Sequence, residues 1–308
     1  MNAFYLIAYV PMFVLRALAL LASTLMSALP RSKLFATIHT NLCLAYPEMD
    51  ECERLALVRR VIRHQCLTAV ESAKCWAMPP EWSIEQIHSV HNQELLIQAL
   101  NNPKGMLAIV PHLGTWEMMN AWLNQFGAPT IMYKPVKGAR ANEFVLAGRQ
   151  RLNATLVPTD GTGVKAIFKT LKEGGFSIIL PDHVPDLSGG VVVPFFGVLT
   201  LSSTLTPKLA NKTGCALIGL TCVRRDDGQG FDIYCDNLDN PKLYDKDMTV
   251  ATTALNDEIV QMVNRFPHQY MWGYRRFKHV PNVDNIYALS GEELAQIPRQ
   301  GASDVKHH

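Results

Sequence analysis

The sequence predicts an α/β fold: a largely parallel central sheet flanked by helices, preceded by an N-terminal membrane-associated helix and a helical cover. Three features predict it. From Gly105 onwards, short apolar runs alternate with segments of helical texture, the pattern of parallel strands joined by crossover helices. Residues 34–100 are helix-like and of mixed polarity. Ala3 to Leu29 carries a single charge, Arg16. At 308 residues the chain can bury a substantial core without disulfide or metal staples.

The N-terminal element comes from two apolar runs, YLIAYVPMFVL and ALALLASTLMSAL, on either side of Arg16. An apolar helix of about 20 residues spans the hydrocarbon core, and an arginine near its centre costs roughly 2.5–3.5 kcal/mol on insertion scales. That penalty and Pro11 leave spanning the bilayer, lying in its interface and packing as a core helix all open. No basic residue precedes the apolar run, which disfavours a secretory signal. Arg31 and Lys33 follow it, so the positive-inside rule puts the body of the protein on the cytoplasmic side. The expected organisation is an anchor over residues 1–33, one domain over 34–281 with a helical cover (34–100) and an α/β core (101–281), and a polar tail over 282–308. The tail carries little chemistry, and His307-His308 look like the start of an expression tag.

In the cover, MDECERLALVRRVIRHQCLTAVESAKCW places Leu55, Val58, Ile62, Cys66 and Ala69 at spacings of three and four, one apolar stripe on an amphipathic helix. In the core, strands are expected near 105–110, 129–134, 155–158, 176–181 and 215–224, with helices near 116–126, 139–153, 163–173 and 203–213. VVVPFFG reads as a core strand followed by a turn, and the same residues could wall a hydrocarbon pocket. RRDDGQGFDIYCDN reads as a strand, a turn at Asp227-Gly228 and a returning strand. A last helix, TVATTALNDEIVQMVNRF, precedes the aromatic and basic QYMWGYRRFK.

Several functions are disfavoured. A formal net charge of +2 supplies no bulk attraction to nucleic acid. Seven cysteines, scattered without a CxxC or zinc-type spacing, read as reduced thiols filling the core, not as a metal or redox site. DGTGVK lacks the spacing of a nucleotide loop, and His88 and His91 have no third ligand. No GxSxG elbow is present. Neither metal nor organic cofactor is expected.

The stretch MLAIVPHLGTWEMMN carries the candidate chemistry. MLAI and Val110 form a strand, Pro111-His112 leaves its C-terminal end, and Thr115 caps a helix that stops at Gly127. Five residues on a continuous helix turn about 500°, so His112 and Glu117 meet only if a loop intervenes. With the loop, His112 sits at the carboxyl edge of the sheet, where α/β proteins place their ligands. A neutral imidazole there takes a proton from a hydroxyl, and a carboxylate stabilises the imidazolium. The same residues also suit a helix dipole partner and a histidine satisfying a backbone group. Asp182 ends an apolar strand on the same sheet edge and is a further candidate.

NLCLAYPEM at Asn41 to Met49, HLGTWE, Pro181-Asp182, VVVPFFG at Val191 to Gly197 and WGYRRFK occur in that order along the chain. Together they resemble the bacterial lipid A biosynthesis (lauroyl/myristoyl) acyltransferase family, from the N-terminal apolar segment to about Pro281. The resemblance implies a glycerol-phosphate-acyltransferase-like fold in a bacterial inner-membrane enzyme whose catalytic domain faces the cytoplasm. It implies acyl-acyl carrier protein as donor, a lipid A precursor as acceptor, with a hydroxyl of its 3-hydroxyacyl chains acylated in a late step, and contact with inner-membrane lipid. The family's HxxxxE/D motif falls on His112 as general base and Glu117 as its partner. Arg149, in LAGRQR, is implied to contact the substrate or developing negative charge. Where many members have Asp-Gln, this chain has Asp182-His183, so the role of position 183 does not carry over.

Two basic clusters suit a phosphorylated acceptor or an acidic carrier protein: Lys134, Lys137, Arg140, Arg149 and Arg151, and then Arg275, Arg276 and Lys278. The second, with its aromatic neighbours, could also rest on anionic headgroups. Two other readings are an acyltransferase for another glycolipid, such as a mannoside, and a catalytically silent membrane lipid-binding protein.

Overall fold

The structure, a computed structural model, describes residues 3–29 and 32–300. Arg31, His307 and His308, used above, lie outside the described residues.

In chain order, a 3-10 turn at Ala3–Tyr9 leads into α1 (Met12–Ser27), α2 (Lys33–Ala45), α3 (Glu51–Ala77), α4 (Pro80–Glu85), β1 (Ile87–His91) and α5 (Gln93–Leu100). The alternating part runs β2 (Met106–Ile109), α6 (Trp116–Leu123), β3 (Thr130–Tyr133), α7 (Ala139–Gln150), β4 (Thr155–Pro158), α8 (Gly161–Lys172) and β5 (Phe176–Ile179). Then come β6 (Gly190–Phe195), β7 (Val198–Ser203), α9 (Leu205–Thr213), β8 (Ala216–Arg224), β9 (Phe231–Asn237), α10 (Met248–Arg265) and the short α11 (Gly291–Ala295). The chain forms two compact units. The first contains Met1–Ala22, Gln65–Leu180 and Lys212–Asp239, the second Ser23–His64, Pro181–Asn211 and Asn240–His308.

The first unit is built on a seven-stranded sheet of order β1-β9-β8-β2-β5-β3-β4. Strands β2, β3, β4, β5 and β8 are parallel, β9 returns antiparallel to β8, and β1 pairs parallel with β9. Every residue of β2 and β5 is buried, as expected for central strands covered on both faces. Helix α6 packs Met118, Met119 and Trp122 against Met106, Ala108, Ile178, Ile218 and Leu220 of the sheet.

Two expectations are corrected here. The cover is not wholly helical, because IHSVH forms the edge strand β1; its half-exposed side chains never make the apolar run by which a central strand is read. The N-terminal apolar segment is not one long helix. It is broken at Pro11 into a 3-10 turn and a 16-residue α1, which rises about 24 Å. That is short of the roughly 30 Å hydrocarbon core, and no helix among the described residues is long and apolar enough to cross a membrane. Arg16 lies against protein: its Nε is 3.1 Å from Glu71 Oε1 and its Nη1 donates to the Gly228 carbonyl at 2.7 Å.

In the second unit β6 and β7 form an antiparallel hairpin, separate from the large sheet, turning at Phe196-Gly197. Three of the quoted motifs meet there. Asn41, from NLCLAYPEM, donates through Nδ2 to the carbonyls of Trp272 and Tyr274 at 2.6 and 2.7 Å and accepts the Tyr287 hydroxyl at 2.7 Å. Arg276, from WGYRRFK, donates to the Leu201 carbonyl at 2.9 Å and to Ser202 Oγ at 2.6 Å on β7. Asn256 of α10 ties the Pro194 carbonyl of VVVPFFG to the same Ser202 hydroxyl. The tail is more ordered than expected. A capping box at Ser290 and Glu293 starts α11, the Gln300 amide donates to the Gly197 carbonyl at 2.9 Å, and Arg299 reaches the carbonyls of Leu44 and Phe196.

Candidate active site

Strand β2 ends at Ile109, and the Val110 amide still pairs with the Ile179 carbonyl at 2.9 Å before Pro111 stops the ladder. His112 follows at this C-terminal edge, 9% exposed, with its ring edge-on to Trp116 at 5.0 Å. The chain then turns through Gly114, whose left-handed φ of +66° favours glycine and whose surroundings demand it: a Cβ there would lie 1.9 Å from the Cys222 carbonyl oxygen on β8. The same carbonyl receives the Thr115 amide at 2.8 Å, which stitches the loop to the sheet. The loop required between His112 and Glu117 is therefore present. Thr115 stands at the N-cap of α6 but does not cap it with its side chain: its hydroxyl donates instead to Glu71 Oε2 at 3.2 Å.

Glu117 lies in the first turn of α6 and is 4% exposed. Its Oε2 accepts the Trp76 indole N–H at 2.9 Å, its Oε1 is bonded to Arg149 Nη2, and Arg149 Nε lies 3.4 Å from Oε2. Arg149 reaches it from α7, which approaches α3 closely because residue 148 is glycine; a Cβ there would lie 2.6 Å from the Trp76 Cβ. The guanidinium also stands over the Tyr133 ring at 5.4 Å. Burial acts to lower the Arg149 pKa, but the Glu117 carboxylate outweighs it and the net shift is upward. Beside the pair is a small pocket lined by Cys75, Trp76, Ser83, Glu117, Gly148 and Arg149. Burial pushes the Cys75 thiol up, away from the reactive thiolate. Trp76 and Glu71, both from the cover, carried no sequence signal, since their partners lie dozens of residues away.

Lys134 is exposed just past β3 in the same unit. In the second unit Asp182 is buried and accepts the Tyr270 hydroxyl, whose pKa is pushed well up by burial and then by the Asp182 charge. His183 packs its ring on Tyr274 at 4.3 Å. The expectation that Arg275 and Arg276 share a surface patch is corrected. Arg275 is exposed over the Tyr287 ring, while Arg276 is 2% exposed, stacked on Phe195 at 4.3 Å, with burial pulling its pKa down. Arg276 lies in a turn whose amide donates to the Tyr274 carbonyl at 2.9 Å, and its side chain is turned onto the β6-β7 hairpin. Among the described residues, no group of three His, Cys, Asp or Glu side chains is placed to hold a metal ion.

The chain is similar to several known enzymes. It is 29% identical over 249 residues to the lipid A biosynthesis lauroyltransferase of Escherichia coli (strain K12), covering 79% of each chain. It is 25% identical over 244 residues to the lipid A biosynthesis palmitoleoyltransferase of the same organism, covering 78% of each. With the phosphatidylinositol mannoside acyltransferase of Mycolicibacterium smegmatis it shares 31% identity over 211 residues, 66% of this chain and 64% of that one. The profile described as "Bacterial lipid A biosynthesis acyltransferase" matches residues 1–279, so that both units contribute to the match. A similarity of that extent makes the chain an acyltransferase that belongs to the bacterial lipid A biosynthesis acyltransferase family.

Proposed function

We propose that this protein transfers a fatty acyl group from acyl-acyl carrier protein to a hydroxyl on the 3-hydroxyacyl chains of a lipid A precursor, at the cytoplasmic face of the bacterial inner membrane. The observation that carries the reading is the position of His112. It leaves the C-terminal end of a fully buried parallel strand and is followed at once by a helix whose first turn carries a fixed carboxylate.

In this mechanism His112 takes the acceptor hydroxyl proton as the oxygen attacks the thioester carbonyl, and Glu117 stabilises the imidazolium. Collapse of the tetrahedral intermediate breaks the C–S bond, and the imidazolium returns the proton to the departing carrier thiol. No cofactor enters these steps. Burial raises the pKa of both Cys75 and Cys222, which supports direct transfer over an acyl-cysteine intermediate at these residues. Arg149 acts by holding Glu117 in place. Exposed Lys134 and Arg275 are the candidates for phosphate or acidic-carrier contacts, whereas Asp182 and Arg276 support the second unit.

The N-terminal segment, residues 1–33, seats the enzyme on lipid, residues 34–281 form the catalytic body, and the tail straps the hairpin. Phe13, Leu18, Leu21 and Leu25 of α1 are exposed, as are Phe4, Leu6 and Tyr9 before it, while Leu15 and Ala19 face protein. An exposed apolar face on a helix of this length, with its one cation turned to the protein, supports an interfacial seat over a bilayer span.

The test is mass spectrometry of a detergent reaction with purified protein, a Kdo-bearing lipid A precursor and a set of acyl-acyl carrier proteins, beside His112→Ala and Glu117→Ala. The expected result is a gain of acyl mass with wild type, reduced about 10²-fold to 10⁴-fold in His112→Ala. A gain only with mannosylated phosphatidylinositol moves the acceptor to that glycolipid, and no gain from folded, lipid-bound protein leaves the lipid-binding reading.

A further inference from the structure

Helix α3 presents Thr68, Glu71 and Lys74 at intervals of three, along one face. Glu71 is completely buried, and its carboxylate gathers four donor groups. Arg224 of β8 donates from Nε to Oε1 at 2.8 Å and from Nη2 to Oε2. Arg16 of α1 donates to Oε1 at 3.1 Å, and the Thr115 hydroxyl donates to Oε2 at 3.2 Å. Thr68 completes the ring: it accepts from Arg224 Nη2 at 3.2 Å and donates to the Gly114 carbonyl at 3.3 Å. Gly114 and Thr115 are the two residues after His112-Leu113, and their other face is stitched to Cys222, two residues before Arg224 on β8. The candidate catalytic loop is thus clamped between α3 and β8, with Glu71 at the centre of the clamp.

The same helix face holds the N-terminal segment. Lys74 Nζ donates to the carbonyls of Ile7, Ala8 and Val10 at 3.1, 2.7 and 2.8 Å, where the 3-10 turn ends before Pro11. Arg16 then joins the segment to Glu71 itself. A third tie is aromatic. Phe4 and Tyr5 pack on Phe144 of α7 at 5.6 and 5.2 Å, and Phe144 contacts Trp76, the donor to Glu117, at 6.2 Å. An anchor needs one firm attachment. This segment has three: Arg16 leads to Glu71, which holds His112's loop, the aromatic contact leads to Trp76, which holds Glu117, and Lys74 fastens the segment to the helix that carries both.

We propose that Glu71 is a positioning residue for the His112 loop, and that Arg16 makes the N-terminal apolar segment part of the catalytic scaffold as well as its seat on lipid. The inference rests on the acyl-transfer reading for its kinetic consequence, but the clamp itself has a readout independent of turnover. The Thr115 hydroxyl and the Arg16 guanidinium meet on one carboxylate and hold the loop to the segment, and loosening a catalytic group by about 1 Å costs on the order of 10²-fold in rate.

The test uses the full chain in phospholipid–detergent micelles with Thr115→Val, Thr115→Ser and Arg16→Gln. All three retain the Glu71–Arg224 pair, so the fold is kept. Thr115→Val is expected to lower kcat about 10-fold or more at unchanged KM for acyl-acyl carrier protein and lipid acceptor, and Thr115→Ser to restore it. Arg16→Gln is expected to lower kcat with wild-type pelleting on anionic phospholipid vesicles. Hydrogen exchange of the peptide covering residues 110–118 is expected to speed up in Thr115→Val and Arg16→Gln. Wild-type kcat and exchange in both variants overturn the proposal. So does an Arg16→Gln defect confined to vesicle pelleting and the KM for lipid, since the segment is then an anchor only. If wild type transfers no acyl group, the proposed function fails separately, and the exchange data alone decide whether Glu71 and Arg16 hold the loop.

Discussion

Arg149 of α7 and Glu117 of α6 form a partly buried ion pair: Arg149 Nη2 is bonded to Glu117 Oε1, and Arg149 Nε lies 3.4 Å from Oε2. The carboxylate proposed to assist His112 therefore has its orientation set by a guanidinium and an indole from other helices. Arg149→Ala takes the guanidinium away from the Glu117 carboxylate, which is 4% exposed. The expected loss is about 2–3 kcal/mol by urea unfolding, less than the roughly 3–5 kcal/mol of a fully buried pair because the Arg149 side chain is 21% exposed. Adding Glu117→Gln recovers part of it, whereas Arg149→Lys does not restore the two-pronged contact. Equal stability of Arg149→Ala and wild type would show that the pair contributes nothing.

Gly114→Ala combines a left-handed backbone, costing about 1–2 kcal/mol, with a contact to the Cys222 carbonyl that no rotamer relieves. The loop has to leave β8. Loss of most activity is expected even in molecules that remain folded, and faster hydrogen exchange at the Thr115 amide reports the detachment directly.

Asn41→Ala removes one donor group shared by two carbonyls and the acceptor of the Tyr287 hydroxyl, all within the second unit. Three polar groups lose their partner for about 3 kcal/mol in total. Asn41→Asp is expected to be at least as damaging, because a carboxylate would face two carbonyl oxygens. The urea midpoint of each variant measures this.

His39 links acidity to stability. Its Nδ1 lies 3.6 Å from Cys43 Sγ and its Nε2 2.9 Å from Glu51 Oε1. The Cys43 contact first, opposed by burial, and then Glu51 raise its pKa from 6.5 to about 9. A folded pKa above the unfolded one means the folded state holds the extra proton. Its stabilisation is complete below pH 6.5 and is lost as pH rises through about 9. Thermal scans of wild type and His39→Gln are expected to diverge at pH 6 and converge at pH 10; a constant gap between them would exclude His39 as the source.

Leu18 and Leu21 of α1 are 58% and 59% exposed. Leu18→Gln with Leu21→Gln is expected to weaken sedimentation with anionic phospholipid vesicles about tenfold or more, since burying a leucine contributes roughly 1.5–3 kcal/mol. The urea midpoint should not move. Unchanged vesicle binding would remove this face from the proposed lipid seat.

Much of the architecture was legible because its physics is local. A central parallel strand must be apolar on both faces, so MLAI, FSII and the run from Ala216 to Arg224 are visible as runs, and the helices between them follow from period and caps. Strand β1 was not legible, because an edge strand with a half-exposed pattern has no such constraint. HLGTWE was readable as a loop between strand and helix, since Pro111 and Gly114 act on their own backbone.

The sequence by itself determined the alternating α/β order, the place of His112 at the end of a buried strand and the apolar character of the N-terminal segment. Tertiary structure alone decided what each polar group faces. Thr115 stood ready to cap its own helix and bonds Glu71 instead, and Arg16, costly inside a bilayer, shares with Arg224 a glutamate 55 positions later. Arg275 and Arg276, adjacent in the chain, are divided between solvent and core. The physical reason is one of range. Backbone preferences and hydrophobic periodicity act over a few residues, whereas a buried charge takes whichever partner packing brings within 3 Å or so, and sequence distance does not enter that choice.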